Sequence, residues 1–328
     1  MSEKKMTSIG GQAVIEGVMM RGPHKIAVAV RKPDGDIIID EKPCPKVSKV
    51  AKIPLIRGVY SFFSSLVIGV QALTFSAKFF DEEEPKDKKE KQVKKAEKQK
   101  IKENKKESEK KANKDKENEN GLSDAAIYTS VVLSLFLSIG MFIVLPNLIT
   151  NWVVPDKEAH AVLYNFIESV IKLLIFGGYI ILVSQLRDIQ RVFEYHGAEH
   201  KSIFCYENGE ELTVENVKKY SRFHPRCGTS FLLFVMIVSI LVFSLLGVYE
   251  NALINIGLRL LFLPLVAGVS YEIIKFAGKS KNKCVTWLNA PGKWLQKFTT
   301  REPDDSQIEV AIKSLKAVIP ENGEDDLW

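Results

Sequence analysis

Four apolar runs constrain the fold of this chain most, because each is long enough to cross a lipid bilayer as a helix. They lie at about 125–149, 161–185, 229–248 and 252–275. About 20 apolar residues are needed to span roughly 30 Å of hydrocarbon. Every backbone polar group must also be paired inside that layer, which favours helices. We therefore predict a mainly α-helical integral membrane protein, built as a bundle of four transmembrane helices.

A fifth apolar segment, residues 58–80, is long enough to meet a membrane but differs from the other four in composition. Serine, threonine and glutamine dilute it, and lysine or arginine residues lie on both of its flanks. Basic residues of a true span should concentrate on its cytoplasmic side. We therefore favour an interfacial or re-entrant helix over a fifth span.

A lysine- and glutamate-rich tract follows this segment and almost lacks aliphatic residues. Such a composition cannot bury enough apolar surface to offset the entropy of the chain, so we predict a disordered linker. The predicted organisation is then an N-terminal element, an interfacial helix, the linker, a four-helix membrane domain with a cytoplasmic segment at 186–228, and a tail, with bounds 1–57, 58–80, 81–124, 125–275 and 276–328.

The N-terminal element contains the pattern of a small β-hairpin. Apolar residues at 26–30 and 37–39 flank the turn sequence Pro33–Asp36. Proline, aspartate and glycine in this order are typical of a tight reversal between strands. We expect the hairpin to pack on a cytoplasmic face of the membrane domain.

The distribution of basic residues predicts the orientation. The linker, the 186–228 segment and the tail are rich in lysine and arginine, whereas the turns near residues 150–160 and 249–251 are not. Basic loops stay on the cytoplasmic side, so we predict a multi-pass protein of the cytoplasmic (inner) membrane. The expected partners are the lipid bilayer and either anionic lipid or another membrane protein. The many glutamates of the linker argue against a specific nucleic acid.

Three ionisable residues lie inside predicted spans: Glu168, Lys172 and Arg259. Each costs at least ~2.5–3.5 kcal/mol near the bilayer centre, so each should face the bundle interior and find a partner. With 1.5 Å of rise per residue, Glu168 and Arg259 both lie roughly 10 Å from the outer ends of their helices. We predict that these two residues form an ion pair between helices.

The tail is predicted to contain an amphipathic helix. Ser306 and Glu309 have the spacing of a capping box, and the apolar residues that follow repeat at helical intervals. Trp287 and Trp294, with lysines nearby, suit a membrane interface. Either packing or membrane contact explains these features.

The chemistry of the chain is concentrated in its central segment. If residues 196–200 are helical, His196, Glu199 and His200 stand at i, i+3 and i+4 and share one face. Two imidazoles one turn apart can bind one Zn²⁺-sized ion, and His224 or Cys227 could complete the ligand set. A juxtamembrane loop whose His and Cys only pack or hydrogen-bond is the alternative interpretation.

Several blocks of this chain resemble the YqhQ-like family of bacterial membrane proteins, which are built around a domain of unknown function. These blocks are GGQAVIEGVMMRGP at 10–23, YHGAEHK at 195–201, RFHPRCGTSF at 222–231 and TTREPDD at 299–305. Members are often labelled metal-dependent enzymes. The resemblance implies that the N-terminal block folds against the central segment. It also marks a set of residues, namely Glu16, Arg21, His196, Glu199, His200, Arg222, His224, Arg226 and Cys227.

Two functions are compatible with these residues, and the sequence leaves open whether the chain is an enzyme. In the first, His196 and His200 bind a divalent ion, zinc being the leading candidate, with His224 or Cys227 as third ligand. Glu199 would then activate water, and Glu16 would be a further ligand or base. Three arginines could hold an anionic group such as a lipid phosphate, namely Arg21, Arg222 and Arg226.

In the second function, the same residues form a closed structural site in a non-catalytic scaffold, for example a factor that assists membrane-protein assembly. A structural zinc uses four protein ligands, whereas a catalytic zinc keeps one position for water. His196, His200, His224 and Cys227 would make a complete His₃Cys set, which favours this second function on composition alone.

Overall fold

The computed structural model of the chain describes residues 6–45, 53–80, 124–156, 160–247, 249, 251–279 and 290–320. The charged tract at 81–123 and Trp287 lie outside the described residues. Four strands come first: β1 Gly10–Val14, β2 Gly17–Arg21, β3 Lys25–Arg31 and β4 Ile37–Pro43. The helices follow in chain order, namely α1 Ile56–Ala77, α2 Asp124–Ile139, α3 Leu145–Val153, α4 Ala161–Val183, α5 Arg187–Glu207, α6 Val214–Lys218, α7 Gly228–Leu246, α8 Ala252–Lys279, α9 Ala290–Thr299 and α10 Asp305–Val318.

The predicted hairpin is present as β3 and β4, but it is half of a larger antiparallel sheet with strand order β1-β2-β3-β4. Arg31 pairs with Ile37 across the predicted turn, where Gly35 has a φ of 92°. The prediction of a two-stranded element was therefore incomplete. Glycines at both ends of the first hairpin, Gly10–Gly11 and Gly17, hide the usual strand composition.

The sheet is buried on both faces because its side chains alternate. Val18 and Met20 point into one core cluster, which they share with residues of α5 and α10. Met19, Val28 and Val30 point the other way, against Ile68 and Ala72 of α1. The N-terminal block thus packs directly on the central segment. We call the unit formed by the sheet, α5, α6 and α10 the polar body.

The N-cap of helix α10 lies two residues before the predicted N-cap, Ser306. Asp304 is the N-cap, its carboxylate accepts from the Gln307 backbone N–H at 2.9 Å, and the Gln307 side chain closes the box. The predicted pair of Ser306 and Glu309 was wrong in register, because an aspartate was already in place to cap the first turn. The apolar face of the helix packs in the polar body rather than on a membrane, with Ile308, Ala311 and Leu315 fully buried.

Within the described residues, five helical segments are long and apolar enough to cross a membrane, judged by length and composition. They are Ile56–Ala77, Val132–Val153, Ala161–Val183, Gly228–Leu246 and Leu253–Ala277. The second is one continuous rod in which a π-helical turn, Gly140–Val144, joins α2 to α3. Helix α1 runs unbroken over 22 residues and meets the same criterion. The preference for an interfacial or re-entrant helix over a fifth span therefore stays a prediction.

The predicted ion pair between Glu168 and Arg259 is confirmed. Both guanidinium nitrogens Nη1 and Nη2 of Arg259 donate to the Glu168 carboxylate, and the Lys172 ammonium lies 3.1 Å from Glu168 Oε1. Glu168 is 2% exposed. A carboxylate in an apolar helix is therefore enclosed by two cations, as expected for a charge that must avoid hydrocarbon.

Candidate metal centre

Helix α5 carries the predicted His-x-x-Glu-His motif in the geometry expected of it. The helix runs unbroken from Arg187 to Glu207, so His196, Glu199 and His200 share one face. Glu199 and His200 are 5% and 1% exposed, and their imidazole and carboxylate groups are turned into the protein. The two imidazole rings lie with their centroids 4.4 Å apart.

A thiol from a second helix joins these two imidazoles. Cys227 is the N-cap of α7, and His196 Nε2 lies 3.1 Å from its Sγ. One potential ligand atom from each of His196, His200 and Cys227 lies within 4.8 Å of the other two. We call these three residues the His–Cys triad. Two imidazoles and one thiolate at such distances form a donor set suited to zinc.

Backbone carbonyls hold both imidazoles of the triad in one orientation. His196 Nδ1 donates to the Thr299 carbonyl at 2.8 Å, and His200 Nδ1 donates to the Arg222 carbonyl. In the neutral form that binds a metal, both rings therefore carry the lone pair on Nε2, and the buried Nε2 of His200 has no hydrogen-bond partner. Metal-binding histidines are usually fixed by a hydrogen bond from the second ring nitrogen. The residues present therefore fit a divalent metal ion.

The protonation of the triad favours a thiolate. Burial disfavours the charged forms of both Cys227 and His196, but the attraction between the thiolate and the imidazolium outweighs it in each case. The two imidazoles hold the pKa of Cys227 well below its ordinary value, and the Cys227 sulfur and the Glu199 carboxylate raise the pKa of His196 to about 9. A thiolate is the form of cysteine that binds metals and attacks electrophiles.

Glu199 stands beside the triad with an unused oxygen. Its Oε2 is buried without a hydrogen-bond partner. Burial raises the pKa of this carboxyl, while the neighbouring imidazoles and the backbone N–H of Gly11 oppose the rise. A Cβ at Gly11 would lie 2.9 Å from the Glu199 carboxyl carbon, so strand β1 can approach only because that residue is glycine. The sheet thus forms one wall of the site.

The structure does not bring His224 into the triad. Its Nδ1 accepts from the Arg226 backbone N–H at 3.3 Å, and its Nε2 faces the Glu207 carboxylate at 3.6 Å. Its ring centroid is 5.6 Å from that of His200. Burial lowers the pKa of His224 to about 4, so the ring is neutral. As a fourth ligand, His224 stays a prediction that requires its ring to leave Glu207.

Glu207 and Gln296 organise this neighbourhood, and the sequence analysis missed both. The Glu207 carboxylate accepts from the Arg226 guanidinium and from the Thr7 backbone N–H. Burial raises its pKa, but His224 and Arg226 outweigh burial and lower it. The Gln296 amide accepts from His224 N at 2.8 Å and donates to His224 O at 2.7 Å. Neither residue stands in a recognisable motif.

Glu16 is placed away from the triad, in the turn between β1 and β2. Its carboxylate pairs with the Arg191 guanidinium and accepts from the Tyr195 hydroxyl at 3.1 Å. Its φ of 50° is in the left-handed region, which non-glycine residues enter at some cost. Glu16 therefore links the sheet to α5, and its predicted role as ligand or base stays a prediction.

Two of the three arginines marked by the resemblance donate to backbone carbonyls. Arg222 donates to the Thr300 carbonyl at 2.7 Å, and Arg226 donates to the Thr7 carbonyl at 2.8 Å. Arg21 lies against the Cys44 thiol; burial raises the pKa of that thiol, and the guanidinium works in the opposite direction. A role for these arginines in holding an anionic group stays a prediction.

Comparison with known proteins agrees with the resemblance found in the sequence. A family model described as "Protein of unknown function (DUF1385)" matches residues 53–321. A protein of Bacillus subtilis (strain 168), "Uncharacterized protein YqhQ", is 35% identical over 328 residues, which cover 97% of this chain and 95% of that protein. No solved structure matches the chain. The chain therefore belongs to the DUF1385 family, which includes YqhQ-like proteins and whose function is unknown.

Proposed function

We propose that this chain is a hydrolase of the cytoplasmic membrane that binds a divalent metal ion, zinc being the leading candidate, at the His–Cys triad. One observation carries the proposal. Three potential ligands converge, and the unpartnered Nε2 of His200 is aimed among them. His224, which would close a four-ligand site, is held instead by Glu207 and Arg226. Three protein ligands with an open position are typical of catalytic zinc.

The orientation rests on the basic residues that flank the apolar helices. The 186–228 segment carries the triad and is rich in lysine and arginine, so the site would face the cytoplasm. A reducing compartment suits this arrangement, because it keeps the buried Cys227 thiol available as a ligand.

The residues around the triad have separable roles in this proposal. A bound divalent ion would supply Lewis-acid polarisation of the scissile group or of water. Glu199 accepts the proton that an attacking water loses, at its unpartnered Oε2. The raised pKa of this carboxyl brings it closer to neutral pH, where a general base works best. The Thr299 and Arg222 carbonyls keep His196 and His200 in one tautomer.

The second candidate function is a scaffold in which the same site is structural. The burial of the site favours it, because Glu199, His200 and Cys227 are each less than a tenth exposed. In this case a metal would tie α5 to the N-terminus of α7 without reacting. A fourth protein ligand, His224, would be needed to complete the usual structural set.

Metal content distinguishes the two functions. The full chain is purified in detergent without chelators, and its bound metals are measured by elemental analysis together with His200→Ala, Glu199→Gln and His224→Gln. The hydrolase proposal expects one metal ion in the wild type, loss in His200→Ala and retention in the other two. The exposed His160 supplies the control His160→Ala, which should retain the metal. Loss of metal in His224→Gln would favour the scaffold, and no metal in the wild type would exclude both.

An exchangeable position is tested with cobalt. Cobalt(II) is substituted into the purified protein, and its visible spectrum is recorded before and after addition of acetohydroxamate, a small oxygen chelator. An open site changes its spectrum, whereas a closed four-ligand site does not. The thiolate-to-cobalt absorption should disappear in Cys227→Ser, which identifies the sulfur ligand independently of any enzymatic assay.

A further inference from the structure

A groove of about 650 Å³ lies between α7 and α8, outside the triad. We call it the α7–α8 groove. Phe234 and Val238 form its floor and are 5% and 4% exposed, whereas Ile237 and Leu241 line it from the exposed side at 41% and 65%. Ile273, Phe276 and Pro291 complete the apolar lining, and Glu272 is the one charged residue in it. A volume of this size is in the range of ligand-binding cavities.

The groove begins close to the triad and on the same side of α7. Phe234 and Val238 follow Cys227 by seven and eleven positions. At 3.6 residues per turn, both project within about 20° of Cys227, and Phe234 lies roughly 10 Å along the helix axis from it. Helix α9 makes a second connection, because Pro291 lines the groove while the Thr299 carbonyl holds His196.

Charged groups lie beside Glu272, the charged residue of the groove wall. Glu272 pairs with the guanidinium of Arg57, with Nε donating to Oε1 at 2.7 Å, and Lys275 stands one turn further along α8. These three side chains together carry one net positive charge. They lie on the last turns of α8 and the first turn of α1, where a lipid headgroup would meet the helix ends.

We propose that the α7–α8 groove binds one acyl chain of a glycerophospholipid and that the substrate class of the proposed hydrolase is a membrane lipid. The assignment of a lipid substrate rests on the proposed hydrolase function, whereas the binding of an acyl chain in the groove does not. Both walls belong to helices that are long and apolar enough to cross a membrane, so the species at hand to fill the groove is an acyl chain. A chain seated on Phe234 and Val238 brings the bonds near its headgroup towards the triad.

Photo-crosslinking in vesicles tests the binding. The full chain is reconstituted into vesicles of phosphatidylethanolamine and phosphatidylglycerol that contain a phosphatidylglycerol with a diazirine in its acyl chain. Lipid that merely surrounds the protein labels residues in proportion to exposure, so Leu245, which is 89% exposed, should then be labelled most strongly. A seated chain labels Phe234 and Val238 instead, although both are nearly buried.

A filled groove provides the matched comparison. Ile237→Trp fills the groove from its exposed side and should lower labelling of Val238 several-fold, whereas Leu245→Trp, on the same helix but outside the lining, should leave it unchanged. Wild-type metal content and a single size-exclusion peak show that the variant is folded. If Ile237→Trp does not fold, Leu241→Trp serves the same purpose, because that side chain is more exposed.

The outcomes separate the two proposals. Labelling of the floor residues in a protein without metal supports the lipid site and overturns the metal function. Bound metal with labelling that follows exposure overturns the lipid site and leaves the metal function intact. Labelling of a copurified protein, with none of Phe234 or Val238, would also overturn the lipid site, since a protein would then cover the groove.

Discussion

The polar body and the apolar helices use the same residue types in opposite ways. In the polar body, Leu315 and Val217 are fully buried, and the cluster around them joins the sheet to α5 and α10. Among the apolar helices, Leu245 is 89% and Leu253 is 77% exposed. A protein in water rarely exposes large contiguous apolar surface, so this exposure indicates apolar surroundings for those helices. The same apolar residue types therefore form a buried core in the polar body and an exposed surface in the apolar helices, depending on the surrounding solvent.

The two regions also differ in how their buried polar and charged groups are arranged. In the polar body they form an extended network, in which Glu207, Arg226 and Thr7 bond to one another around His224. In the apolar helices the charges form compact groups, one where Glu168 meets Arg259 and Lys172 and another where Glu272 pairs with Arg57. Unpaired charge is costly in both settings, but it is more costly where water is absent.

Breaking the ion pair of the apolar helices should have the largest effect. Arg259→Ala leaves Glu168 with Lys172 alone, and we expect a loss of about 3–5 kcal/mol in the free energy of unfolding. Denaturation in mixed micelles measures it. The double variant Glu168→Gln with Arg259→Met should lose much less than the sum of its two single variants, because no charge remains unpaired. Additive losses would show that the two groups do not interact.

Two separate glycine-to-alanine variants compare the packing of the polar body with that of the apolar helices. A Cβ at Gly197 would overlap the Arg301 carbonyl, so Gly197→Ala must displace the chain beside His196, at a cost of about 3 kcal/mol. A Cβ at Gly177 meets nothing within 4 Å, so Gly177→Ala should be neutral or stabilising by up to about 1 kcal/mol. Thermal unfolding of both variants in one detergent is the measurement. Equal losses would mean that α4 packs as tightly as the polar body.

Removing the charge of Glu207 should have an intermediate effect. Glu207→Gln weakens the bonds from Arg226 and Thr7, and we expect a loss of about 2 kcal/mol because these bonds involve charged groups. The exposed residue Glu215 supplies the control Glu215→Gln, which should change stability little. Chemical unfolding followed by tryptophan fluorescence measures both. No difference between the two variants would contradict the view that Glu207 organises the surroundings of His224.

The smallest effect is expected at the surface of the sheet. Lys25 and Glu41 form an ion pair at 3.0 Å, but their side chains are 57% and 45% exposed. Water screens such a pair, so Lys25→Ala should cost less than about 0.5 kcal/mol. The same unfolding experiment measures this change. A loss as large as that of Glu207→Gln would show that exposure does not govern the contribution of charges in the polar body.

Several features followed from the sequence because their causes are local. The length of an apolar run decides whether it can cross a membrane, and the spacing of His196, Glu199 and His200 decides that they share a helix face. The pairing of Glu168 with Arg259 could also be predicted, because a charge in an apolar helix has few acceptable partners.

Other features were decided only by tertiary packing. Strands β1 and β2 exist because α5, α10 and α1 cover both faces of a sheet that glycine-rich segments would not form alone. Cys227 lies against His196, whereas His224 turns to Glu207, although these two residues stand only three positions apart in the sequence. Spacing along the chain predicts which residues are neighbours within one helix. Contacts between distant segments depend instead on how the folded elements orient their side chains towards each other. For that physical reason the sequence determined the possible ligands, and the tertiary structure decided which three of them meet.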